Sequence, residues 1–350
     1  MEWEGFDSQW LRGFLVKMGT RRHGAAYFHF MKHVFLRLFL KSASIWLVVC
    51  VVIGVVAGKW SLHPGSRVLR PADEVLARRI AEQDHAELDD VAVTAEDGVT
   101  LHAWSLRPAN SNGDAVILLH GVADNRMGML GYAELLLRHG FAVLLPDARA
   151  HGQSGGDVVT YGAKEAGDVR RWFDWVEQAD SPRCVDGLGN SMGAAVLLES
   201  LRTTPGFCAV VAESPFANFR EASFDRMGQW TGTGPWFGRT VLRPAVESGL
   251  LYARWKYGAN LGQDSPEDAV AASKVPVLLI HGKRDDNLPT YNSEMILARS
   301  KSRGDAVVLW EPPDAGHTGA AGAEPEEYER RVIGWFEAHR TPGGVVESWH

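Results

Sequence analysis

The sequence predicts an α/β fold in which a mostly parallel sheet carries helices on both faces. Short apolar runs with the length of strands alternate along the chain with longer segments of helical periodicity. The strand-like runs are apolar at almost every position, which is typical of parallel strands buried on both faces. With 350 residues, 45% of them apolar, the chain can build a large core, which excludes a disordered or fibrous protein.

Eight strands and four main helices are expected after residue 88. Asp97-Gly98 separates the first two strands and favours a hairpin, because glycine tolerates the positive φ that a tight turn needs. The expected strands are 91–94, 99–106, 115–120, 142–146, 184–188, 208–212, 277–280 and 306–310, and the expected helices are 130–138, 164–178, 192–201 and 325–338.

A long segment without strand signals interrupts this alternation at about 216–273. It is rich in aromatic residues, so it is too apolar for a disordered loop and too long for a simple connection. A small helical cap over one end of the sheet is expected there, with some of its aromatic side chains facing a substrate. The expected organisation is a basic cytoplasmic N-terminal segment 1–41, a transmembrane helix 42–60, a connector 61–88, the α/β domain 89–340 and a tail 341–350.

The first 60 residues differ in charge from the rest of the chain. They carry eight basic and three acidic residues, a net charge of +5, whereas the remainder carries 28 basic and 40 acidic residues, a net charge of −12. An acidic body offers no surface for nucleic acid. Residues 42–58 are uncharged, and as a helix they span roughly 25 Å of a hydrocarbon core that is ~30 Å thick. Residues 34–40 can lengthen this helix if Arg37 and Lys41 reach the membrane surface, so a transmembrane helix is predicted.

A cleaved signal peptide is the alternative interpretation of the same segment. Val55-Val56-Ala57 resembles a cleavage site, although the residues before the apolar run are too many for an ordinary signal peptide. Seven of the eight basic residues precede the run. The positive-inside rule therefore predicts a cytoplasmic N-terminus, with the α/β domain outside the cytoplasm, in the periplasm if the source is a Gram-negative bacterium.

The three cysteines do not decide whether the protein lies in an oxidising or a reducing compartment. Cys50 lies in the apolar run, whereas Cys184 and Cys208 open two strands that we expect to be neighbours in the sheet. A disulfide between these two is geometrically possible in an oxidising compartment. Buried free thiols are the favoured expectation.

The segment Gly189-Asn190-Ser191-Met192-Gly193 matches G-x-S-x-G between an expected strand and an expected helix. A sharp strand-to-helix turn exposes a serine hydroxyl, and small flanking residues relieve the crowding at that turn. Ser191 is therefore the predicted nucleophile. A dinucleotide-binding loop is excluded here, because Met192 occupies the position of the last glycine of that motif.

The loop after strand 115–120 predicts a site for an oxyanion. Acyl transfer needs two hydrogen-bond donors for the negative oxygen of the tetrahedral intermediate. The backbone N–H groups of Val122 and of Met192, the residue after the nucleophile, are the predicted pair. His120 could be a general base, but a strand-end histidine that holds this loop is the preferred interpretation.

The base and the acid are expected nearer the C-terminus, since this architecture has the chain order serine, acid, histidine. His317 follows the last expected strand in a loop containing glycine and is the predicted base. Asp285, after strand 277–280, is the favoured acid. Asp286 and Glu213 remain alternatives.

At these motifs the chain resembles α/β-hydrolases of the serine-hydrolase type, and is similar to bacterial membrane-anchored members of the serine aminopeptidase-like group. The resemblance covers roughly residues 90–340. It implies an α/β-hydrolase fold with a mostly parallel eight-stranded sheet, and it implies nucleophile Ser191, acid Asp285, base His317 and the oxyanion amides named above. The motifs that carry it are His120-Gly121, 147–155, Gly189–Gly193, Gly282-x-x-Asp285 with Pro289, and Gly316-His317. The family often has glycine where this chain has Ala150.

The expected function is hydrolysis of carboxylic esters through an acyl-enzyme. A serine peptidase or amidase with the same triad is the first alternative, and a non-catalytic binding protein is the second. No cofactor and no metal ion is expected, although His29 and His33 are spaced four apart. The expected partners are a small ester or acyl substrate and the membrane, through the N-terminal helix, but not nucleic acid.

Overall fold

The computed structural model describes residues 21–340 apart from position 264, and the side chains from residue 28 onward. The chain divides into two compact units, residues 1–53 and residues 54–350. The expected segment 1–41 lies partly, and the tail 341–350 wholly, outside the described residues.

Among the described residues, eight strands form one sheet in the order β1-β2-β4-β3-β5-β6-β7-β8. Strand β2 runs antiparallel to β1 and β4, and the other neighbouring pairs are parallel. The predicted α/β-hydrolase architecture is therefore confirmed. The strands are β1 (Ala86–Thr94), β2 (Thr100–Pro108), β3 (Asp114–Leu119), β4 (Ala142–Pro146), β5 (Cys184–Asn190), β6 (Val210–Glu213), β7 (Val277–Ile280) and β8 (Val307–Trp310).

The helices include one that the sequence pattern did not predict, Tyr291–Arg299, which follows β7. Strand β1 also begins five residues earlier than expected, because its partly exposed first half, which carries three acidic residues, is held by pairing with β2. The helices are α1 (Arg21–Leu62), α2 (Pro71–Gln83), α3 (Leu130–Arg138), α4 (Glu165–Asp180), α5 (Met192–Ser200), α6 (Phe219–Thr231), α7 (Pro235–Arg239), α8 (Arg243–Tyr257), α9 (Pro266–Ala272), α10 (Tyr291–Arg299), α11 (Ala320–Ala323) and α12 (Pro325–Ala338).

Helices cover both faces of the sheet, which explains why its inner strands, such as β3 and β4, lack polar alternation. In β3, Ala115 and Ile117 pack into the core under α4, α5, α9 and α10. Their neighbours Val116 and Leu118 pack into the core under α2, α3 and α12. Side chains alternate between the faces of a strand, so a strand buried on both sides must be apolar throughout.

Helix α1 is longer than the transmembrane segment predicted at 42–60. It runs unbroken from Arg21 to Leu62, and its part from Phe28 to Leu62 is long and apolar enough to cross a membrane. Within residues 28–53 the large apolar side chains, such as Phe35 and Ile45, are mostly exposed. An apolar helix near the N-terminus fits either a membrane anchor or a signal sequence.

The expectation of free thiols at Cys184 and Cys208 is wrong. The two residues form a disulfide with their Cα atoms 5.7 Å apart. Strands β5 and β6 are neighbours, as expected, and the backbone N–H of Cys208 donates to the carbonyl of Val185 at 2.9 Å. This bond brings Cys208, two residues before β6, into register with the start of β5.

The loop after β4 is built around the Asp147 carboxylate. It accepts hydrogen bonds from the backbone N–H of Arg126 at 2.8 Å, from the Arg126 guanidinium at 2.6 Å and from the backbone N–H of Gln153 at 2.8 Å. Ala150 lies in this loop with φ +58°, where a side chain is strained and glycine is not. Ala150 therefore has a left-handed backbone conformation, which favours glycine.

Replacing Ala150 with glycine should stabilise the fold. Relief of the left-handed conformation, ~1–2 kcal/mol, exceeds the ~0.4–1 kcal/mol that glycine costs through the unfolded chain, so a gain of about 0.5–1 kcal/mol is expected. Thermal unfolding of the solubilised full chain measures it. Ala148→Gly, in the same loop at a position without positive φ, is the control and should destabilise. A midpoint of Ala150→Gly at or below that of Ala148→Gly contradicts the prediction.

Candidate active site

Ser191 lies on a strained turn between β5 and α5. Its φ is 53° and its ψ is −116°, and its backbone N–H donates to the carbonyl of Glu213 at 2.8 Å. A Cβ at Gly189 would lie 2.6 Å from the Gly193 carbonyl, and a Cβ at Gly193 would collide with the Leu119 carbonyl. The turn therefore requires both glycines, and it raises the Ser191 hydroxyl at the carboxyl end of the sheet.

His317 connects the serine to a carboxylate. Its Nε2 lies 2.9 Å from Ser191 Oγ, and its Nδ1 lies 2.7 Å from Asp285 Oδ2. The loops that carry His317 and Asp285 meet closely, since a Cβ at Gly282 would collide with the Ala315 carbonyl. The structure thus brings together the three side chains that the sequence analysis singled out.

Asp285 is held as an anion. Its Oδ1 accepts hydrogen bonds from the backbone N–H groups of Asn287 at 3.0 Å and Leu288 at 2.8 Å. Burial alone raises the pKa of this carboxyl, but hydrogen bonds from His281 and His317 outweigh it and hold the pKa well below its usual range. A charged Asp285 can fix the orientation of the His317 ring.

The two alternative acids, Asp286 and Glu213, make other contacts. Asp286 is exposed, and its backbone carbonyl accepts a hydrogen bond from the Gln229 amide. Glu213 is buried behind the His317 loop, where it accepts a hydrogen bond from the backbone N–H of Ala320 at 2.9 Å. Burial raises the pKa of Glu213, so this carboxyl supports the loop rather than pairing with the imidazole.

His281 is a residue of the site that the sequence analysis did not single out. It is fully buried, and its Nε2 lies 3.3 Å from Asp285 Oδ2 and 2.8 Å from the Leu288 carbonyl. Its Nδ1 lies 2.7 Å from Ser293 Oγ. A histidine directly after an apolar strand and four residues before the acid was the signal available in the sequence.

The two predicted oxyanion donors lie beside the serine. Val122 and Met192 line the same cavity as Ser191. Among the described residues, neither backbone N–H makes a hydrogen bond. Met192 is also the first residue of α5, where unpaired N–H groups favour negative charge. The arrangement can accept an anionic oxygen next to Ser191.

His120 holds loops together, as the preferred interpretation expected. Its Nδ1 lies 2.7 Å from the Gly121 carbonyl, and its Nε2 accepts a hydrogen bond from the backbone N–H of Ala148 at 3.0 Å. One neutral tautomer satisfies both contacts.

Within the part of the chain that the structure describes, no group of three His, Cys, Asp or Glu side chains is placed to hold a metal ion.

A cavity of about 450 Å³ opens beside Ser191. Aromatic residues of the segment between β6 and β7 line it, among them Phe216, Phe219 and Trp230, and their contact with a substrate stays a prediction. Eight residues between positions 54 and 65 form another part of its wall, in the last turns of α1 and just after them: Gly54, Ala57, Gly58, Trp60, Ser61, Leu62, Pro64 and Gly65. That contribution was not predicted. The signal for this contribution in the sequence was a pair of glycines, Gly54 and Gly58, in an otherwise bulky apolar run.

Similarity to known proteins identifies the family. Residues 116–331 match the alpha/beta hydrolase family. The chain belongs to this family. Among curated relatives it is similar to YqkD of Bacillus subtilis (strain 168), an uncharacterized protein that is 26% identical over 245 residues, covering 67% of this chain and 78% of YqkD.

Two further relatives carry more descriptive names. YuxL of Bacillus subtilis (strain 168), an uncharacterized peptidase, is 23% identical over 275 residues, covering 72% of this chain and 39% of YuxL. The solved structure of the Pyrococcus furiosus esterase Pf2001 has 26% identity and a TM-score of 0.63, covering 80% of this chain and 100% of the esterase. The family and these relatives support a hydrolase.

Acidification should destabilise the folded chain through His120. Burial, with a smaller contribution from His151, lowers the pKa of His120 from 6.5 to about 4. The unfolded state therefore takes up this proton below about pH 6.5 and the folded state only below about pH 4, so this group's contribution to the free energy of unfolding falls as the pH drops between them. The loss reaches about 3 kcal/mol at roughly 1.4 kcal/mol per pH unit.

Denaturant unfolding at about pH 7, 5.5 and 4 measures this loss. His120→Gln is the matched variant, because its amide can donate to the Gly121 carbonyl and accept from the Ala148 N–H without titrating. The free energy of unfolding should fall less steeply with pH in this variant than in the wild type. If the free energy of unfolding falls equally steeply with pH in the variant and the wild type, the attribution of this loss to His120 is contradicted.

Proposed function

We propose that the protein is a serine hydrolase that cleaves carboxylic esters through an acyl-enzyme on Ser191. The observation that carries the proposal is the continuous hydrogen-bond path from Ser191 Oγ through His317 to Asp285. A non-catalytic binding protein would have no use for a serine held in a strained turn within 2.9 Å of an imidazole.

The proposed mechanism assigns a step to each group. His317 Nε2 takes the hydroxyl proton as Ser191 Oγ attacks the ester carbonyl, and the N–H groups of Val122 and Met192 stabilise the resulting oxyanion. His317 then gives the proton to the departing alcohol. Water, deprotonated by His317, attacks the acyl-enzyme, and His317 returns that proton to Ser191 Oγ as the carboxylic acid leaves. Asp285 keeps the ring in the required tautomer and stabilises the imidazolium.

Esters are the proposed substrates rather than amides. The similar solved structure is an esterase, and the cavity beside Ser191 is lined mainly by apolar side chains, which suits an acyl group without charge. The name of YuxL supports a peptidase as the second candidate. Rates on p-nitrophenyl esters and aminoacyl anilides separate the two.

We also propose that α1 is a retained membrane anchor and that the hydrolase unit lies outside the cytoplasm. Cleavage after Ala57 would remove Gly54, where an added Cβ would collide with the Ala245 carbonyl of α8. Such close packing inside the unit of residues 54–350 supports retention. The excess of basic residues before the apolar run and the disulfide between Cys184 and Cys208 support the orientation.

Replacing Ser191 with alanine should abolish both turnover and labelling by a fluorophosphonate probe. Loss of the attacking oxygen lowers kcat by about 10⁴-fold or more in enzymes of this type. Release of p-nitrophenol from p-nitrophenyl butyrate and gel fluorescence of the labelled full-length protein are the two measurements. Labelling that persists in the Ser191→Ala variant contradicts the nucleophile.

Adjacent aspartates provide a matched pair of controls. Asp285→Asn should lower kcat by about 10⁴-fold, because an amide no longer stabilises the imidazolium or the correct tautomer. Asp286→Asn changes an exposed carboxyl one residue away and should leave kcat within about twofold. Equal losses in the two variants would remove Asp285 from the mechanism.

The mature protein should retain the residues before Gly54. A membrane helix resists extraction that releases peripheral proteins, so the full chain should stay with membranes after an alkaline carbonate wash. Intact-mass measurement and N-terminal sequencing of the purified protein report whether cleavage has occurred. A mature chain that begins at Gly58 would contradict the proposal that α1 is retained as a membrane anchor.

A further inference from the structure

The end of helix α1 forms a wall of the active-site cavity. Gly54, Ala57, Gly58 and Trp60 line the cavity together with Ser191. All of these residues belong to the unit of residues 54–350. The segment that is apolar enough to enter a membrane therefore also contacts whatever occupies the cavity.

Close helix packing fixes this wall. A Cβ at Gly58 would lie 3.1 Å from Gly249 Cα on α8, and a Cβ at Gly249 would lie 2.8 Å from the Gly54 carbonyl. Small residues at such positions allow two helix backbones to approach closely, as they do within membranes. The wall is thus a built part of the hydrolase unit rather than a loosely attached tail.

The polar and apolar parts of the cavity lining are separate. Next to the triad, the Arg226 guanidinium donates to Asn287 Oδ1 at 2.6 Å, and the Asn287 N–H donates to Asp285. The portions of α1 and α8 in the wall contribute mostly small and apolar residues, including Ala57, Leu62, Val246 and Leu250. This second part offers an acyl chain a mostly apolar contact surface.

The depth of α1 in a membrane follows from its charges. A span needs about 20 residues, and Lys41 has to stay near one surface. The span therefore extends to the region of Trp60. Ala57 then lies within about 5 Å of the opposite boundary of the hydrocarbon layer and Gly54 about 9 Å inside it, so the cavity wall is also the end of the membrane span.

The outer surface of the same region exposes large apolar side chains beside basic residues such as Lys59 and Lys256. Val56 is 62% exposed and Trp60 is 67% exposed. The Trp60 ring lies 5.6 Å from that of Trp230, which is also exposed and also lines the cavity. Trp236 and Trp255, in the helices between β6 and β7, are 71% and 82% exposed. Exposed tryptophans of this kind are typical of the membrane–water interface.

We propose that the substrate is a long-chain acyl ester taken from the membrane that anchors the enzyme, with its acyl chain against the end of α1. This proposal rests on the proposed ester hydrolysis at Ser191. The anchor then has two roles, because it holds the enzyme at the bilayer and supplies part of the surface that selects the acyl chain.

A chain-length series tests the acyl-binding role. The full-length protein is reconstituted in phosphatidylcholine vesicles and given p-nitrophenyl butyrate, laurate or palmitate. Wild-type kcat/KM for laurate should exceed that for butyrate by about tenfold or more, since added methylenes in an apolar pocket raise transition-state binding. Ala57→Phe fills the wall and should lower this laurate-to-butyrate ratio by about tenfold.

Val56→Phe is the matched control. It places the same side chain on the neighbouring, exposed residue of α1, outside the cavity, and should leave the ratio unchanged. Ala222→Phe, on the facing helix α6, narrows the cavity from the other side and should repeat the effect of Ala57→Phe if that variant fails to fold. An unchanged ratio in the folded cavity variants, or a wild type without chain-length preference, overturns the proposal.

The source of the ester is tested with palmitate in two vesicle populations. Palmitate ester in the vesicles that contain the enzyme should be hydrolysed at least about tenfold faster than the same ester in separate vesicles, because the anchor makes the encounter intramembrane. Equal rates overturn uptake from the anchoring membrane. Absence of both ester turnover and fluorophosphonate labelling would instead count against the proposed function, so the two failures are distinguishable.

Discussion

The site depends on one crowded turn, in which the backbone of β5 reverses into α5 at a serine with positive φ. Gly189 and Gly193 have no room for a side chain, because a Cβ on either would contact the backbone of the turn or of β3. The bond from the Ser191 N–H to the Glu213 carbonyl ties the turn to the end of β6. The strain at Ser191 persists because the buried sheet on both sides over-determines it.

The parallel sheet turns this local constraint into a site. The carboxyl ends of β3, β5, β6, β7 and β8 lie at one edge, so loops distant in sequence meet there. Glu213 illustrates the consequence. Its backbone holds the serine turn, and its side chain holds Ala320, three residues after His317. One residue at the end of a central strand thereby supports both the serine and the imidazole.

Much of the fold could be predicted because it follows from short-range pattern, and the candidate triad residues could be predicted from the serine motif and from the order of the acid and the histidine along the chain. Apolar strands, the hairpin at Asp97-Gly98 and the G-x-S-x-G turn are each encoded within a few residues. Features that depend on contacts between distant segments were missed or misjudged. The disulfide of Cys184 with Cys208 requires the register of β5 and β6, and the buried position of His281 requires the contact of its loop with Ser293 of α10. Helix α10 was missed because its polar residues Asn292 and Ser293 are buried and interrupt the apolar pattern.

The position of the end of α1 was the feature that local sequence pattern predicted least, because one side of this helix segment packs against protein and the other side is exposed. In the sequence, residues 54–58 only continue an apolar run, and nothing distinguishes a side facing lipid from a side facing protein. In the structure Gly54 is buried, whereas Val56 is exposed. A helix with this division cannot be only a tether, since removing it would open the cavity beside Ser191. In the proposed function, anchoring and substrate binding are therefore coupled through the same two turns of helix.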